Sequence, residues 1–131
     1  MKILIAEDDL GTQKILKKFL ERFGECTVVD DGAKALAVFS QAHEEEDLFD
    51  ILFLDILMPQ MSGHQLLQAV REFEHERKIG TTQCVKIIVV TSLNDAENVV
   101  GAFRLGCEAY ITKPIDGRQV IEEMRKLGFD V

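Results

Sequence analysis

Five short apolar runs divide the chain, and the stretches between them carry apolar residues at helical spacing. Ile3-Leu4-Ile5-Ala6, Cys26-Thr27-Val28-Val29, Ile51-Leu52-Phe53-Leu54, Ile87-Ile88-Val89-Val90 and Ala109-Tyr110-Ile111 are mostly β-branched or aromatic, and the last is the shortest. None alternates with polar residues, so each reads as a strand covered by helices on both faces. The first helical stripe is Ile15, Leu16, Phe19, Leu20 and Phe23. Leu36 with Phe39 makes a weak second stripe, and Leu66, Leu67, Val70 and Phe73 a clear third. Ala96, Val99 and Phe103 form a fourth, predicted to be buried, and Val120, Ile121, Met124 and Leu127 a fifth. Gly24, Gly106 and Gly128 stand just past helix ends, where a left-handed backbone is expected. Asn94-Asp95 offers a helix start.

The order is strand then helix, five times over. Short crossovers with a helix in each predict an α/β fold with a parallel sheet, right-handed connections and helices on both faces. In such sheets ligands bind outside the carboxyl ends of the strands, near the point where strand order reverses. There is no internal repeat, low-complexity tract or linker, so residues 1–131 read as one domain. Two connections look long: His43-Glu44-Glu45-Glu46-Asp47, and the stretch from Glu74 to Gln83. Both read as solvated helix ends and loops.

Composition narrows the function classes. Hydrophobic residues at 47% and charged residues at 29% fit a globular core and exclude a disordered tail or a disulfide scaffold. No apolar run approaches the roughly 20 residues needed to cross a bilayer, and Glu7 comes too early for a signal-peptide core. The expectation is a cytoplasmic protein that binds no membrane. Fifteen Lys and Arg against 23 Asp and Glu leave a formal charge of −8. A duplex binder needs a basic footprint to displace counterions, so direct nucleic-acid binding is not expected. Cys26, Cys84 and Cys107 lack metal-ligand spacing and read as buried thiols.

The chemistry sits at the strand ends. The first strand runs into Glu7-Asp8-Asp9 and the third into Asp55. The fourth ends at Thr91-Ser92, and the fifth leads to Lys113-Pro114. Taken singly, each has a plain reading: acids after a strand cap helices, Asp55 is a turn residue before Met58-Pro59, and Lys113 is a surface lysine. Together, they crowd carboxylates, a hydroxyl and an ammonium on one edge of one sheet. Carboxylates so placed raise one another's pKa unless a cation is present, and Mg²⁺ typically takes one or two carboxylates plus water and phosphate oxygens. These are the parts of a phosphoryl-transfer site. Asp55 is the natural nucleophile, forming an acyl phosphate; Glu7 and Asp8 hold the metal; Thr91 and Lys113 each grip a phosphoryl oxygen.

These residues resemble the receiver domain of two-component response regulators, from Lys2 to about Leu127. The blocks are Ile3-Leu4-Ile5-Ala6-Glu7-Asp8-Asp9, Ile51-Leu52-Phe53-Leu54-Asp55-Ile56-Leu57-Met58-Pro59 with Ser62-Gly63, Ile88-Val89-Val90-Thr91-Ser92, and Gly106-Cys107-Glu108-Ala109-Tyr110-Ile111-Thr112-Lys113-Pro114. The resemblance implies a flavodoxin-like doubly wound sheet of five parallel strands, order 2-1-3-4-5, with five helices. It implies that Asp55 accepts a phosphoryl group from a histidine kinase or phosphotransfer protein. Glu7 and Asp8 match the family's metal-binding acids, with Mg²⁺ as the ion. Leu57 matches the position whose backbone carbonyl completes the metal shell. Thr91 matches the switch hydroxyl, Lys113 the family's lysine and Tyr110 its aromatic switch. The Lys113-Pro114 bond is expected cis. Phosphorylation adds about −1.5 to −2 charge; Thr91 moves toward it, Tyr110 rotates, and the face of helix 4, strand 5 and helix 5 changes shape. Val100 is a candidate exposed contact on that face or an ordinary surface valine.

The implied function is a switch, not an enzyme: a phosphoprotein that controls a downstream protein target, as chemotaxis-type and phosphorelay single-domain regulators do. A Mg²⁺-dependent phosphohydrolase needs a second acid two residues after its nucleophile, and that position here is Leu57. A receiver cut from a larger regulator stays open, as does activation-dependent dimerisation. Apolar Leu57 and Leu93, where the family often has polar residues that help attacking water, suggest a long-lived phosphoryl group. His43, His64 and His75 read as exposed helix histidines. Met58 and Met61 read as packing residues. Gly80-Thr81-Thr82 is no phosphate loop.

Overall fold

A computed structural model describes residues 1–92 and 96–131. Strands and helices alternate: β1 (Lys2–Ala6), α1 (Leu10–Leu20), β2 (Glu25–Val29), α2 (Gly32–Glu44), β3 (Ile51–Asp55), α3 (Gly63–Glu76), β4 (Lys86–Thr91), α4 (Ala96–Leu105), β5 (Ala109–Thr112) and α5 (Gly117–Lys126), with a 3-10 turn at Thr81–Gln83 before β4. All four pairings are parallel, in the order β2-β1-β3-β4-β5. The alternating pattern predicts the parallel sheet, and the strand order is the doubly wound, flavodoxin-like one that the resemblance implies. The expected helix start at Asn94-Asp95 lies outside the described residues, as does Leu93.

Two cores explain why the inner strands are apolar at successive positions between their polar ends. Successive side chains of a strand point to opposite faces. Leu4 and Ala6, Leu52 and Leu54, and Ile87 and Val89 pack with Phe39, Leu66 and Val70 beneath α2 and α3. Ile3 and Ile5, Ile51 and Phe53, and Ile88 and Val90 pack with Leu16, Leu20, Val120 and Met124 beneath α1 and α5. Each face is apolar because each is covered. The edge strands depart from this: β2 has no fully buried residue and β5 alternates, with Ala109 and Ile111 buried and Tyr110 exposed.

Several local expectations need correction. α1 ends at Leu20, so Phe23 packs on the core from the following turn, and Ile15 faces solvent. The fourth stripe is not buried: Ala96 and Phe103 are exposed, Val99 is half-buried, and Ala102 carries the packing. A helix on the rim of a sheet covers less surface, so its apolar residues remain available to solvent. Gly106 and Gly128 have the left-handed φ of 108° and 96° expected at C′ positions. Gly24 does not; a side chain there would strike the Met1 carbonyl, its Cβ falling 2.2 Å from that oxygen. α2 and α3 instead close on Glu46 and Lys78, both left-handed at φ 56°. Cys107 is buried and its thiol pushed up to about 11, chiefly by burial, but Cys26 and Cys84 are only half-buried. Met58 and Met61 pack against the core as expected.

The stretch beginning at Glu74 is the largest departure. Glu74 is buried, not solvated. It stands four residues after Val70 and seven after Leu67, on the apolar stripe of α3, so the helix drives it inward. Its carboxylate accepts from Arg71 Nη1 at 2.7 Å and from the Val85 amide at 2.8 Å. Arg71 also donates to the carbonyls of Val85 and Gly106 and to Glu108, whose carboxylate in turn accepts from the Ile87 amide. The network joins α3 to the start of β4 and to the α4–β5 connection, at the edge of the sheet opposite the strand ends that carry the acids. Removing one member of such a buried ion pair strands the others without water. Arg71→Leu is expected to cost about 3 kcal/mol of unfolding free energy, read from urea denaturation; a cost below about 1 kcal/mol, the range of an exposed pair, would show the network to be solvent-screened.

Candidate functional site

Sheet register brings the chemistry together. Ala6 pairs with Leu54, so Glu7 and Asp55 leave the sheet side by side from β1 and β3. Asp55 pairs with Val90, which puts Thr91 one step further along β4. Thr91 pairs with Thr112, and Lys113 follows at once, its amide donating to the Thr91 carbonyl at 2.7 Å. Four strand ends thus deliver their residues to one spot because four parallel strands end at matched heights.

The local turns hold these groups in place. Asp9 is the N-cap of α1: its carboxylate accepts from the Thr12 amide and hydroxyl, which hold its pKa below the ordinary value. That leaves Glu7 and Asp8 as the acids facing the cleft. The Asp9 amide donates to Glu7 Oε2 at 3.1 Å, and the Gln13 side-chain amide donates to the Glu7 carbonyl. α3 begins against the Asp55 backbone, where Gly63 is required; a Cβ there would lie 2.3 Å from the Asp55 carbonyl oxygen. Ser62 caps that helix through a reciprocal box with Gln65.

Glu7, Asp8 and Asp55 each present a carboxylate oxygen, all within 4.8 Å of one another; Glu7 and Asp55 are buried and Asp8 is exposed. The Lys113 ammonium lies 2.9 Å from Glu7 Oε1 and 3.5 Å from Asp55 Oδ2. Burial and then the neighbouring Glu7 carboxylate push the Asp55 carboxyl up from 3.8 to about 7, against the opposing pull of Lys113. Burial works to lower the Lys113 pKa, but the Glu7 and Asp55 carboxylates outweigh it and hold the ammonium above its ordinary value. One lysine therefore does not neutralise the site. Glu7 Oε1 is buried and makes no well-directed hydrogen bond, although it faces Lys113. Hard oxygen donors and an excess of negative charge over the one ammonium suit a small divalent cation such as Mg²⁺.

The remaining residues frame this cleft. The Leu57 amide donates to Asp55 Oδ1 at 3.3 Å, while its side chain is 65% exposed beside the acids. Thr91 is buried, and its hydroxyl contacts the Ser92 carbonyl at 3.4 Å. A surface cavity of about 320 Å³ is lined by both Thr91 and Tyr110, with Val99, Val100 and Thr112 among its walls. Tyr110 is 41% exposed and meets Phe103 edge-on, ring centroids 6.1 Å apart. Val100 is 51% exposed on the same face. The Lys113-Pro114 bond is cis.

Two of the three histidines differ from expectation. His43 is half-buried between the rings of Phe39 and Phe73, and burial lowers its pKa. His64 donates from Nε2 to the Asn98 carbonyl at 2.8 Å, linking α3 to α4. His75 is exposed as expected. Gln13 and Arg71 support the site or its surroundings and carried no motif of their own, whereas Gly63 stood in the Ser62-Gly63 block. Only the position of Glu74 on an apolar stripe hinted at the Arg71 network.

The response regulator receiver domain family matches residues 3–125. Hybrid signal transduction histidine kinase L of Dictyostelium discoideum is 35% identical over 97% of the chain, which spans 7% of that protein. The transcriptional regulatory protein CiaR of Streptococcus pneumoniae is 32% identical over 87% of the chain and 45% of its own length. The chain thus spans less than half of each of these relatives. A structure of the Saccharomyces cerevisiae histidine phosphotransfer signaling protein Ypd1 with the receiver domain of its downstream response regulator Ssk1 superposes with TM-score 0.82. Identity there is 25%, over 98% of this chain and 88% of the other. With its sheet order, its clustered acids and this match over nearly its whole length, the chain belongs to the response regulator receiver domain family, the switch module of two-component phosphorelays.

Proposed function

We propose that Asp55 is the phosphoacceptor of a switch that turns over no substrate of its own, with Glu7, Asp8, Asp55 and the Leu57 carbonyl holding Mg²⁺. The observation that carries the reading is the convergence of Glu7, Asp8, Asp55 and Lys113 on one cleft with more negative charge than the lysine balances. The donor is a phosphohistidine of a histidine kinase or phosphotransfer protein. Mg²⁺, when bound, supplies the charge neutralisation that lets a phosphoryl dianion approach these carboxylates. An Asp55 carboxylate oxygen attacks phosphorus; the P–O bond forms as the P–N bond breaks, and the bond pair returns to the donor imidazole. Lys113 then pairs with the new phosphoryl oxygens, and the Thr91 hydroxyl donates to one of them.

The cavity beside Thr91 gives the aromatic switch its physical basis. When Thr91 moves toward the phosphoryl group, the space between it and Tyr110 is free for the ring, and the exposed face of Val100, Phe103 and Tyr110 changes shape. That face binds a downstream protein target or a second copy after activation. No described helix is long and apolar enough to cross a membrane, and the acidic surface disfavours nucleic acid; the reading is a cytoplasmic protein domain occupying residues 1–131. A phosphohydrolase is disfavoured because Leu57 supplies no acid or base beside the nucleophile.

Three measurements test this. Incubation with acetyl phosphate and Mg²⁺ is expected to add the mass of one phosphoryl group, and to add none in Asp55→Asn or with the metal chelated. An unchanged wild-type mass would falsify the phosphoacceptor assignment. Leu57→Asn is expected to shorten the lifetime of the phosphorylated protein several-fold by giving attacking water a polar partner; an unchanged lifetime removes Leu57 as a shield. The third concerns stability. With its carboxyl at about 7 when folded and 3.8 otherwise, Asp55 binds more protons in the folded state between those values. The metal-free protein therefore loses stability as pH rises through that window. Asp55→Asn is expected to melt with the wild type near pH 4 and above it at pH 8 in EDTA, the gap narrowing with excess Mg²⁺. A gap that does not depend on pH contradicts the charge crowding.

A further inference from the structure

α4 is the least buried of the five helices. Ala102 is its one buried residue among the described residues, against two in α5, three in α1 and more in α2 and α3. Gly101 in its middle lowers its own helical stability, and packing does not demand the glycine: a Cβ there would meet the His64 ring at an ordinary 3.5 Å. Something other than a broad apolar seam must hold this helix in register.

Among the described residues, two side chains of α3 reach its backbone. His64 and Arg71 are seven residues apart, and therefore on one face of that helix. His64 donates to the Asn98 carbonyl in the first turn of α4 at 2.8 Å. Arg71 donates to the Gly106 carbonyl, just past the other end, through Nε at 3.0 Å and Nη2 at 2.9 Å. The two contacts differ in strength. Arg71 is tied at the same time to Glu74, Glu108 and the Val85 carbonyl, so its end of α4 belongs to a network that opens as a unit. His64 offers one hydrogen bond, at the end of α4 nearer to Thr91 and the acidic cleft.

We propose that α3 holds α4 by a two-point clamp in which Arg71 is the fixed point and His64 the releasable one. His64 is then a positioning residue that sets how readily the α4–β5 face rearranges. The coupling half of this rests on the reading of Asp55 as phosphoacceptor; the clamp itself does not. The single bond belongs to the resting arrangement and is lost when α4 pivots about its Arg71 end. Without that bond, less free energy separates the resting from the rearranged form, and a ligand that selects the rearranged form binds more tightly.

Hydrogen exchange of the resting protein tests the clamp without any phosphoryl chemistry. His64→Leu is expected to speed exchange of amides 100–105 by about 2- to 10-fold, the population shift of one lost hydrogen bond. His64→Gln keeps a side-chain N–H donor and is expected to restore much of the protection, with amides of α5 unchanged throughout. Exchange in α4 that stays at the wild-type rate, or a glutamine variant no better than leucine, overturns the clamp. Titration with beryllofluoride and Mg²⁺ tests the coupling: His64→Leu is expected to bind more tightly than wild type, by up to the same factor, with His64→Gln between them. Faster exchange with unchanged or weaker beryllofluoride binding overturns the coupling. If the wild type itself binds no beryllofluoride, the phosphoacceptor reading fails, while the exchange data still decide the clamp.

Discussion

The site turns on mutual repulsion between carboxylates that the sheet does not allow to separate. Glu7 and Asp55 are carried out of the sheet by adjacent, hydrogen-bonded strands, and both are buried. In water two such acids would turn apart; here backbone pairing keeps them together and burial denies them solvent. Burial first, and the Glu7 carboxylate second, push the Asp55 carboxyl up to about 7, and Lys113 offsets only part of that rise. The cleft is primed for a cation, and with it for the oxyanion that a cation attracts.

The fold's contribution is alignment. A parallel sheet wound from its centre outward ends its strands on one side, and turns that leave β1, β3, β4 and β5 there can meet without long loops. The opposite edge of the sheet is closed by ions of a different kind. Arg71, Glu74 and Glu108 bond one another, and the two carboxylates also accept from the amides of Val85 and Ile87, so the charged groups at that edge find partners within the protein. One edge carries acids that a single lysine only partly offsets; the charges of the other are tied into the fold.

The exposed apolar face fits the same division. Phe103 and Tyr110 pack on each other rather than into the core, with Val100 beside them. A helix packed through Ala102 can tilt without opening the interior, whereas a shift of α2 or α3 would expose Phe39 or Leu66. The two cores hold the interior, and the exposed apolar residues lie on the rim.

Much of this is set locally and is legible without coordinates. Strand runs such as Ile51-Leu52-Phe53-Leu54 are apolar throughout because both faces are covered, and Glu7, Asp55, Thr91 and Lys113 follow their strands directly, so order along the chain predicts their common edge. What sequence periodicity does not carry is which neighbour each face meets. The stripe of α4 reads as core because its spacing is helical, yet a rim position leaves it in solvent. The run from Glu74 reads as solvated because acids usually are, yet Arg71 and the Val85 amide make burial favourable there. His64 and Arg71 act on carbonyls more than 30 residues away, and an acceptor on the main chain has no residue type to announce it. Local pattern determines the elements and the chemistry at their ends; only the packed structure decides which charges meet partners, which acids crowd together, and which helix keeps its apolar residues in solvent, because those depend on neighbours far away along the chain.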